Sequence, residues 1–197
     1  MTSPGADLPP RARPERPRRA DAQRNYESLL ASAKRVFDEQ GVDAPLDDVA
    51  RRAGVGNATM YRHFPTRREL IIAVYADEVT ELCARGETLL GEEPPGDALF
   101  TWLRTFIAHV ATKRELALAL ADDHGGQRST LFHRWHAAMH ASASALLTRA
   151  QRAGAVRADL DTSDLLALAN GIALTGADSD QAERLLLLIR HGTDIGR

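Results

Sequence analysis

Cysteine, aromatic residues and long apolar runs are scarce in this sequence. Cys83 is the single cysteine among 197 residues, so no intramolecular disulfide can form and a reducing compartment is expected. We expect Cys83 to be a small packed hydrophobe, with a thiol-reactive sensor as the alternative. No apolar run approaches the roughly 20 residues of a membrane span, and the Pro- and Arg-rich N-terminus is unlike a signal peptide. These absences predict a cytoplasmic protein with no membrane partner.

The short motifs that accompany common catalytic sites are also missing. The sequence contains no nucleophile elbow, no phosphate-binding loop and no H-E-x-x-H. Scattered Asp and His residues can always be assembled into an imagined site, so their presence does not indicate catalysis. We therefore expect a binding protein with neither enzymatic activity nor a cofactor.

The composition is typical of helices. Aromatic residues make up 5% of the chain, β-branched residues are sparse, and Ala, Leu and Arg dominate. No strand-like alternation is found, whereas apolar residues recur at helical steps. We predict an all-α fold of about nine helices, over residues 24–40, 46–53, 57–64, 67–90, 97–112, 113–121, 129–153, 161–176 and 179–191.

Charge is divided unevenly along the chain. Residues 1–68 hold 13 Arg and Lys against 9 Asp and Glu, whereas residues 69–197 hold 12 against 18. A basic N-terminal third beside an acidic remainder fits contact with DNA at one end. Residues 1–23, in which prolines alternate with arginines, are expected to be disordered. They form either a basic arm that follows DNA or an inert extension.

The most informative stretch is LDDVARRAGVGNATMYRHFPTRREL, residues 46–70. Its first half has apolar residues at helical spacing and ends at Gly54, which can adopt positive φ. A second helix, 57–64, follows Gly56 and carries polar and basic side chains. A helix-turn-helix places such a second helix in the major groove of DNA. The alternative is an ordinary helical hairpin with solvated polar faces.

The sequence AGVGNATMYRHFPTRREL resembles the N-terminal domain of TetR-family transcriptional regulators. Members of that family carry A-G-V-S-x-G-T-x-Y-x-H-F followed by Pro and a new helix. Two positions depart from this pattern. Gly56 stands where Ser is usual and loses a capping hydroxyl, and Ala58 stands where Gly is usual and favours the helix. These two departures affect the expectation of one contact between the helix-turn-helix and a DNA phosphate.

The resemblance implies a regulator, expected to be a repressor with activation as the alternative. It implies that a dimer binds a palindromic operator and that a small-molecule effector releases it. Its domains would be a basic arm (1–23), a DNA-binding domain (24–70) and an effector-binding and dimerisation domain (71–197). The DNA-binding residues implied are Asn57, Thr59, Tyr61, Arg62 and His63 for recognition, and Arg24, Asn25, Thr66, Arg67 and Arg68 for the backbone.

The last two predicted helices are apolar on nearly every side. LLALANGIAL and the five consecutive aliphatics of 185–189 leave little polar face, and such helices must be buried all round. A second copy of the chain would bury them, as in the family's four-helix bundle; burial within one chain is the alternative. The predicted interface residues are Leu165, Leu168, Ile172, Leu185, Leu188 and Ile189, and Arg at Leu187 or Ile172 is expected to give monomers.

Two further groups lie in the second domain. Large side chains suited to an effector pocket, or alternatively to the core, are Trp102, Phe106, Trp135, His136 and Met139. His133, His136 and His140 share one helix face and could bind a metal with Asp122, Asp123 and His124, or form a polar border. Because a zinc site needs ligands from more than one element, we predict no metal.

Overall fold

Helices account for all the regular structure in the described part of the chain. We analysed a computed structural model, which describes the backbone of residues 18–121 and 126–193 and the side chains of 20–111 and 130–193. Within those ranges there are eight helices and no strand, which confirms the all-α prediction. The helices are α1 Arg18–Gln40, α2 Leu46–Ala53, α3 Asn57–His63, α4 Arg67–Leu89, α5 Pro95–Ala121, α6 Gly126–Arg152, α7 Thr162–Leu174 and α8 Ser179–Thr193.

Two differences from the predicted helices are larger than three residues. The predicted pair 97–112 and 113–121 is one continuous helix, α5, because no glycine or proline interrupts the sequence between these residues. Helix α1 begins at Arg18, six residues earlier than predicted, directly after the last proline of the N-terminal segment. Residues 18–23, which we expected to be disordered, are therefore helical. The prediction for residues 1–17 lies outside the described residues.

Helices α1, α2 and α3 form a small N-terminal head around one end of the apolar core. Leu29, Ala33 and Val36 of α1 meet Val49 of α2 and Met60 of α3, and all five side chains are buried. Helix α2 ends at Gly54, which has φ 70° and donates its N–H to the carbonyl of Arg51. A left-handed residue at this position satisfies the last carbonyls of a helix and turns the chain sharply. The turn directs α3 across α2, as a helix-turn-helix requires.

Helix α4 connects the head to the remaining helices. It begins with a capping box, in which the Thr66 hydroxyl accepts a hydrogen bond from the Glu69 N–H and the Glu69 carboxylate accepts one from the Thr66 N–H. Farther along, α4 packs closely on α5 and α6 at Gly86. A Cβ atom there would lie 3.0 Å from Trp102 Nε1 and 3.2 Å from Ser142 Cβ. Glycine at this position allows the three helices to approach one another.

Candidate DNA interface and effector cavity

Helix α3 presents one polar side to solvent and one apolar side to the head. Met60 is fully buried, and Phe64, immediately after the helix, is also buried. Asn57, Tyr61 and Arg62 lie on the opposite side and are exposed. This arrangement follows from helical geometry: Phe64, four positions after Met60, shares its side, whereas Tyr61 and Arg62 are turned about 100° and 200° away from it. The predicted recognition residues Asn57, Tyr61 and Arg62 therefore share an accessible surface.

Two other residues predicted for recognition contact their neighbours. Thr59 is half-buried, and its hydroxyl accepts a hydrogen bond of 2.9 Å from Arg62 Nη2. His63 is half-buried, and its ring lies 6.1 Å from that of Tyr26 and 6.4 Å from that of Phe64, centroid to centroid. Thr59 thus orients the Arg62 guanidinium, and His63 also belongs to the packing between α3 and α1.

The residues predicted to hold the DNA backbone flank this surface. Arg24 is exposed on α1 and forms an ion pair with Asp21 one turn earlier. Asn25 and Arg68 are half-buried. Thr66 is exposed, but its hydroxyl accepts the capping hydrogen bond that starts α4.

Arg67 makes two contacts that the sequence did not predict. Its Nη1 donates hydrogen bonds of 2.6 Å to the backbone carbonyls of Val42 and Ala44, in the loop between α1 and α2. Those carbonyls lie more than 20 positions away in sequence, so no local pattern indicates the contact. Arg67 ties the start of α4 to the head, and its predicted contact with the DNA backbone stays a prediction.

Replacing Arg67 by Met tests this structural assignment. The variant leaves two loop carbonyls without their donor, so we expect the free energy of unfolding to fall by about 1–3 kcal/mol. Urea denaturation followed by circular dichroism measures this change. A phosphate contact would instead leave stability unchanged and reduce the salt dependence of DNA affinity by about one unit of slope.

Two exposed arginines at the end of α2 were not singled out from the sequence. Arg51 pairs with Asp48 at 2.8 Å, and Arg52 makes two 2.8 Å hydrogen bonds to the carboxylate of Glu39 on α1. The hydrogen bond from Arg52 holds the pKa of Glu39 below its ordinary value. These ion pairs join α2 to itself and to α1 within the head.

A cavity of about 420 Å³ lies among α4, α5, α6 and α7. Three of those helices each contribute an aromatic ring to its wall: Tyr75 from α4, Phe106 from α5 and Phe132 from α6. Its other walls are largely aliphatic, and it also has polar lining residues. The aliphatic and thioether lining residues include Val110, Met139, Leu166 and Leu174, and the polar ones are His109, His136, Ser163 and Asn170. Mostly apolar walls with a few polar groups are typical of small-molecule sites.

Only some of the residues predicted for an effector pocket line this cavity. Phe106, His136 and Met139 line it. Trp102 does not: it is fully buried, stacks on Phe106 and donates an Nε1 hydrogen bond of 3.1 Å to the Leu82 carbonyl. Trp102 is therefore a core residue, which was the alternative. Trp135 packs on Tyr75 at 4.9 Å and lines a separate groove between α4 and α6.

Tyr75 and His109 were missed because only tertiary packing brings them together. Their ring centroids are 5.5 Å apart, and His109 Nδ1 lies 3.9 Å from Oε2 of Glu78, which is also largely buried. Burial, and secondarily the charge of Glu78, raise the pKa of the Tyr75 hydroxyl. Tyr75 therefore stays protonated at neutral pH and can donate a hydrogen bond.

The three histidines of α6 have separate surroundings. His136 Nδ1 donates a 2.7 Å hydrogen bond to the carbonyl of Phe132, whereas His140 Nε2 lies 3.4 Å from the Ser163 hydroxyl on α7. Across residues 20–111 and 130–193, no three His, Cys, Asp or Glu side chains are grouped as metal ligands. The further candidates Asp122, Asp123 and His124 lie outside the described residues.

Helices α7 and α8 carry an apolar surface that the described residues leave exposed. Leu168, Leu174, Leu187 and Leu188 are 51, 49, 41 and 67% exposed, and we call these four residues the apolar face. Leu185 and Ile189 are half-buried.

Leu165 and Ile172, both predicted at the interface, are instead buried in the chain's own core. They lie on the side of α7 that packs on its neighbours, so Arg at Ile172 would disrupt the fold and could not test dimerisation. No described helix is long and apolar enough to cross a membrane.

Two family models match the chain over most of its length. Residues 29–74 match "Bacterial regulatory proteins, tetR family", and residues 94–194 match "Transcriptional regulator SbtR-like, C-terminal domain". The first match covers most of the head and the second covers α5 to α8. The head and the helical domain after it thus each match a model of transcriptional regulators independently.

Solved structures agree with this result. The chain is 40% identical to a TetR transcriptional regulator, SCO0520, from Streptomyces coelicolor, over 87% of this chain and 99% of that one, with a TM-score of 0.71. It is 38% identical to a TetR transcription regulatory protein from Mycobacterium vanbaalenii, over 91% and 100%, with a TM-score of 0.74.

Curated relatives match over shorter stretches. The HTH-type transcriptional regulator SAR0097 of Staphylococcus aureus is 32% identical over 81 residues, and SrpR of Pseudomonas putida is 41% identical over 58. The matches span 42% and 27% of those proteins and 40% and 29% of this chain.

Proposed function

Since the chain belongs to the TetR family of transcriptional regulators, we propose that it is a repressor that binds a palindromic operator as a dimer and is released by a small-molecule effector. Regulators of this family bind DNA and are not enzymes. Its place of work would be the cytoplasm, where the chromosome lies.

The observation that carries the proposal is the exposed side of α3. Asn57, Tyr61 and Arg62 are all accessible there, while Met60 fixes the opposite side in the core of the head. Arginine can make two hydrogen bonds to guanine and asparagine can do so to adenine in the major groove, whereas a tyrosine hydroxyl suits a phosphate. One short helix therefore offers both base reading and backbone contact.

A dimer follows from the apolar face on α7 and α8. Four leucines on two adjacent helices are exposed to water, which is unfavourable for a single chain. A second copy of the same surface would cover them. A two-fold axis through this face would give two recognition helices related by symmetry. Such a pair reads two half-sites of a palindrome, about one helical turn (roughly 34 Å) or more apart.

The effector is proposed to occupy the cavity among α4 to α7. Helix α4 is the element common to this cavity and the head: Tyr75 lines the cavity, and the start of α4 holds the loop between α1 and α2 through Arg67. A ligand that binds better when α4 is displaced would favour a head position that no longer matches the operator. Release then depends only on the ligand's differential affinity for the two positions.

The role in transcription is tested with DNA selected by the purified protein from a random pool. The selected sequence is placed across a promoter that drives a reporter gene, with and without the regulator. We expect the regulator to reduce transcription from this promoter and to leave a promoter with a scrambled sequence unaffected. Increased transcription would identify an activator instead.

Arg62 provides a residue-level test of recognition. If the guanidinium reads a base, Arg62→Ala should cost about 1–3 kcal/mol of operator affinity and relax the preference at one position per half-site. Thr59→Val, which removes only the hydroxyl that orients Arg62, should cost less at the same position. Fluorescence anisotropy with the operator and its single-base variants measures both effects. Equal weakening on every sequence would make Arg62 a phosphate contact.

A further inference from the structure

Lys34 of α1 forms a polar bridge between the head and α4. Its ammonium nitrogen lies 2.7 Å from Asp77 Oδ2 and 2.8 Å from Glu81 Oε2, and these two carboxylates are one turn apart on α4. The Lys34 side chain is 17% exposed, so its stem is packed between the helices. Residues four positions apart on a helix share a face, which allows one cation to hold both.

The environment keeps this bridge charged. Burial alone would lower the pKa of Lys34, but hydrogen bonds to Asp77 and Glu81 outweigh it and leave the pKa above its ordinary value. Lys34 is therefore an ammonium group at all physiological pH values. Because its side chain is mostly shielded, it is less screened by salt than an ion pair at the open surface.

A second polar anchor lies ten residues earlier on α4. There Arg67 donates to the carbonyls of Val42 and Ala44 in the loop after α1. Ten residues span about 15 Å of helix axis. A contact at one point allows two rigid bodies to pivot, whereas two contacts 15 Å apart fix the angle between them. The Arg67 and Lys34 anchors together hold the head at one angle to α4.

We propose that Lys34 is a positioning residue for operator recognition: by binding Asp77 and Glu81 it sets the angle of the head against α4, and so the separation of the two recognition helices in a dimer. This rests on the proposed function. Lys34 lies on α1, not on α3, and acts through the position of α3 without touching bases. Asp77 is two residues from Tyr75 in the cavity wall, so displacement of α4 by a ligand would strain this bridge directly.

The test is the tolerance of the protein for a changed half-site spacing. Operators are made from the selected palindrome by inserting or deleting one central base pair, which moves one half-site by about 3.4 Å and rotates it. We expect wild type to bind the altered operators at least about tenfold more weakly than the selected one. Lys34→Met keeps the packed stem and removes the charge. Its preference among the three spacings should shrink to about threefold or less.

Two further variants separate positioning from general damage. The double variant Asp77→Asn with Glu81→Gln breaks the same bridge from α4, and should relax the spacing preference as Lys34→Met does. Glu39→Gln breaks the more exposed ion pair with Arg52, which lies wholly within the head, and should retain the wild-type preference. Circular dichroism melting verifies that each variant is folded, and either bridge variant can carry the test if the other unfolds.

The outcomes are distinct from those that test the proposed function. If wild type selects no palindrome from the pool, the proposed function fails, and this inference fails with it. If wild type discriminates the spacings and both bridge variants discriminate them equally well, the proposed function stands and Lys34 has no positioning role. If Glu39→Gln relaxes the spacing preference as much as Lys34→Met does, the assignment is also overturned, because loss of any ion pair in the head would then have the same effect.

Discussion

We expect Leu188→Arg to convert the proposed dimer into a monomer and to lower operator affinity at least about 100-fold. Leu188 is the most exposed large apolar residue of the described chain, on α8 and within the apolar face. In a two-fold interface the substitution would bring two guanidinium groups into an apolar surface. Sedimentation equilibrium gives the oligomeric state, and fluorescence anisotropy gives the operator affinity.

Two comparisons make this result specific. Thr80→Arg introduces the same charge at an exposed position of α4, a helix that makes no extensive contact with α8, and should leave the dimer and its affinity unchanged. Ile172→Arg, in the buried side of α7, should lower the thermal unfolding midpoint, since it places a charge in the core. If the wild-type protein sediments as a monomer at micromolar concentration, the proposed interface is wrong.

We expect a saturating effector to lower the operator affinity of the wild-type protein about 100-fold, which corresponds to about 2.7 kcal/mol of coupling between cavity and DNA. The effector is found by screening compounds for a rise in unfolding midpoint, since a ligand stabilises the state it binds. Met139→Trp fills part of the cavity and should abolish both the rise and the loss of DNA binding. Without the compound, its operator affinity should equal that of wild type.

A second cavity variant distinguishes filling of the cavity from disruption of the core. Ala167 lines the cavity from α7 and is exposed, so Ala167→Trp adds bulk with little strain. Ala138→Trp adds the same bulk on α6 in the separate groove beside Cys83 and should respond like wild type. If both cavity variants respond to the compound as wild type does, the effector acts elsewhere. If a chelator or added zinc shifts operator affinity and His136→Ala abolishes that shift, a metal is the effector.

The head could be predicted in detail because its signals are local. Gly54 ends α2 because glycine itself can adopt positive φ, so this signal is present in a single residue. Pro65 and Thr66 mark the end of α3 and the start of α4, and the structure differs from the predicted bounds of these helices by one residue. The alternation of buried Met60 with exposed Tyr61 and Arg62 follows from helix periodicity alone.

The other site residues depend on contacts between distant parts of the chain. Arg67 resembles a surface cation in sequence, and only the fold brings the carbonyls of Val42 and Ala44 within its reach. Trp102 and Phe106 are one turn apart and equally apolar, yet the cavity lies on the Phe106 side. On α7, Leu165 and Leu168 are indistinguishable by residue type. Which of them faces the core is decided by the packing of α5 and α6, which periodicity in an all-apolar helix does not reveal.

The stoichiometry of the DNA complex tests the central claim most directly. The selected operator and a duplex that carries one half-site are each titrated with protein at fixed salt concentration, and the complexes are weighed by sedimentation velocity. We expect two chains on the full operator and at least about 100-fold weaker binding to the half-site, because a dimer reads both halves at once. A single chain bound to the full operator, with equal affinity for the half-site, would contradict it.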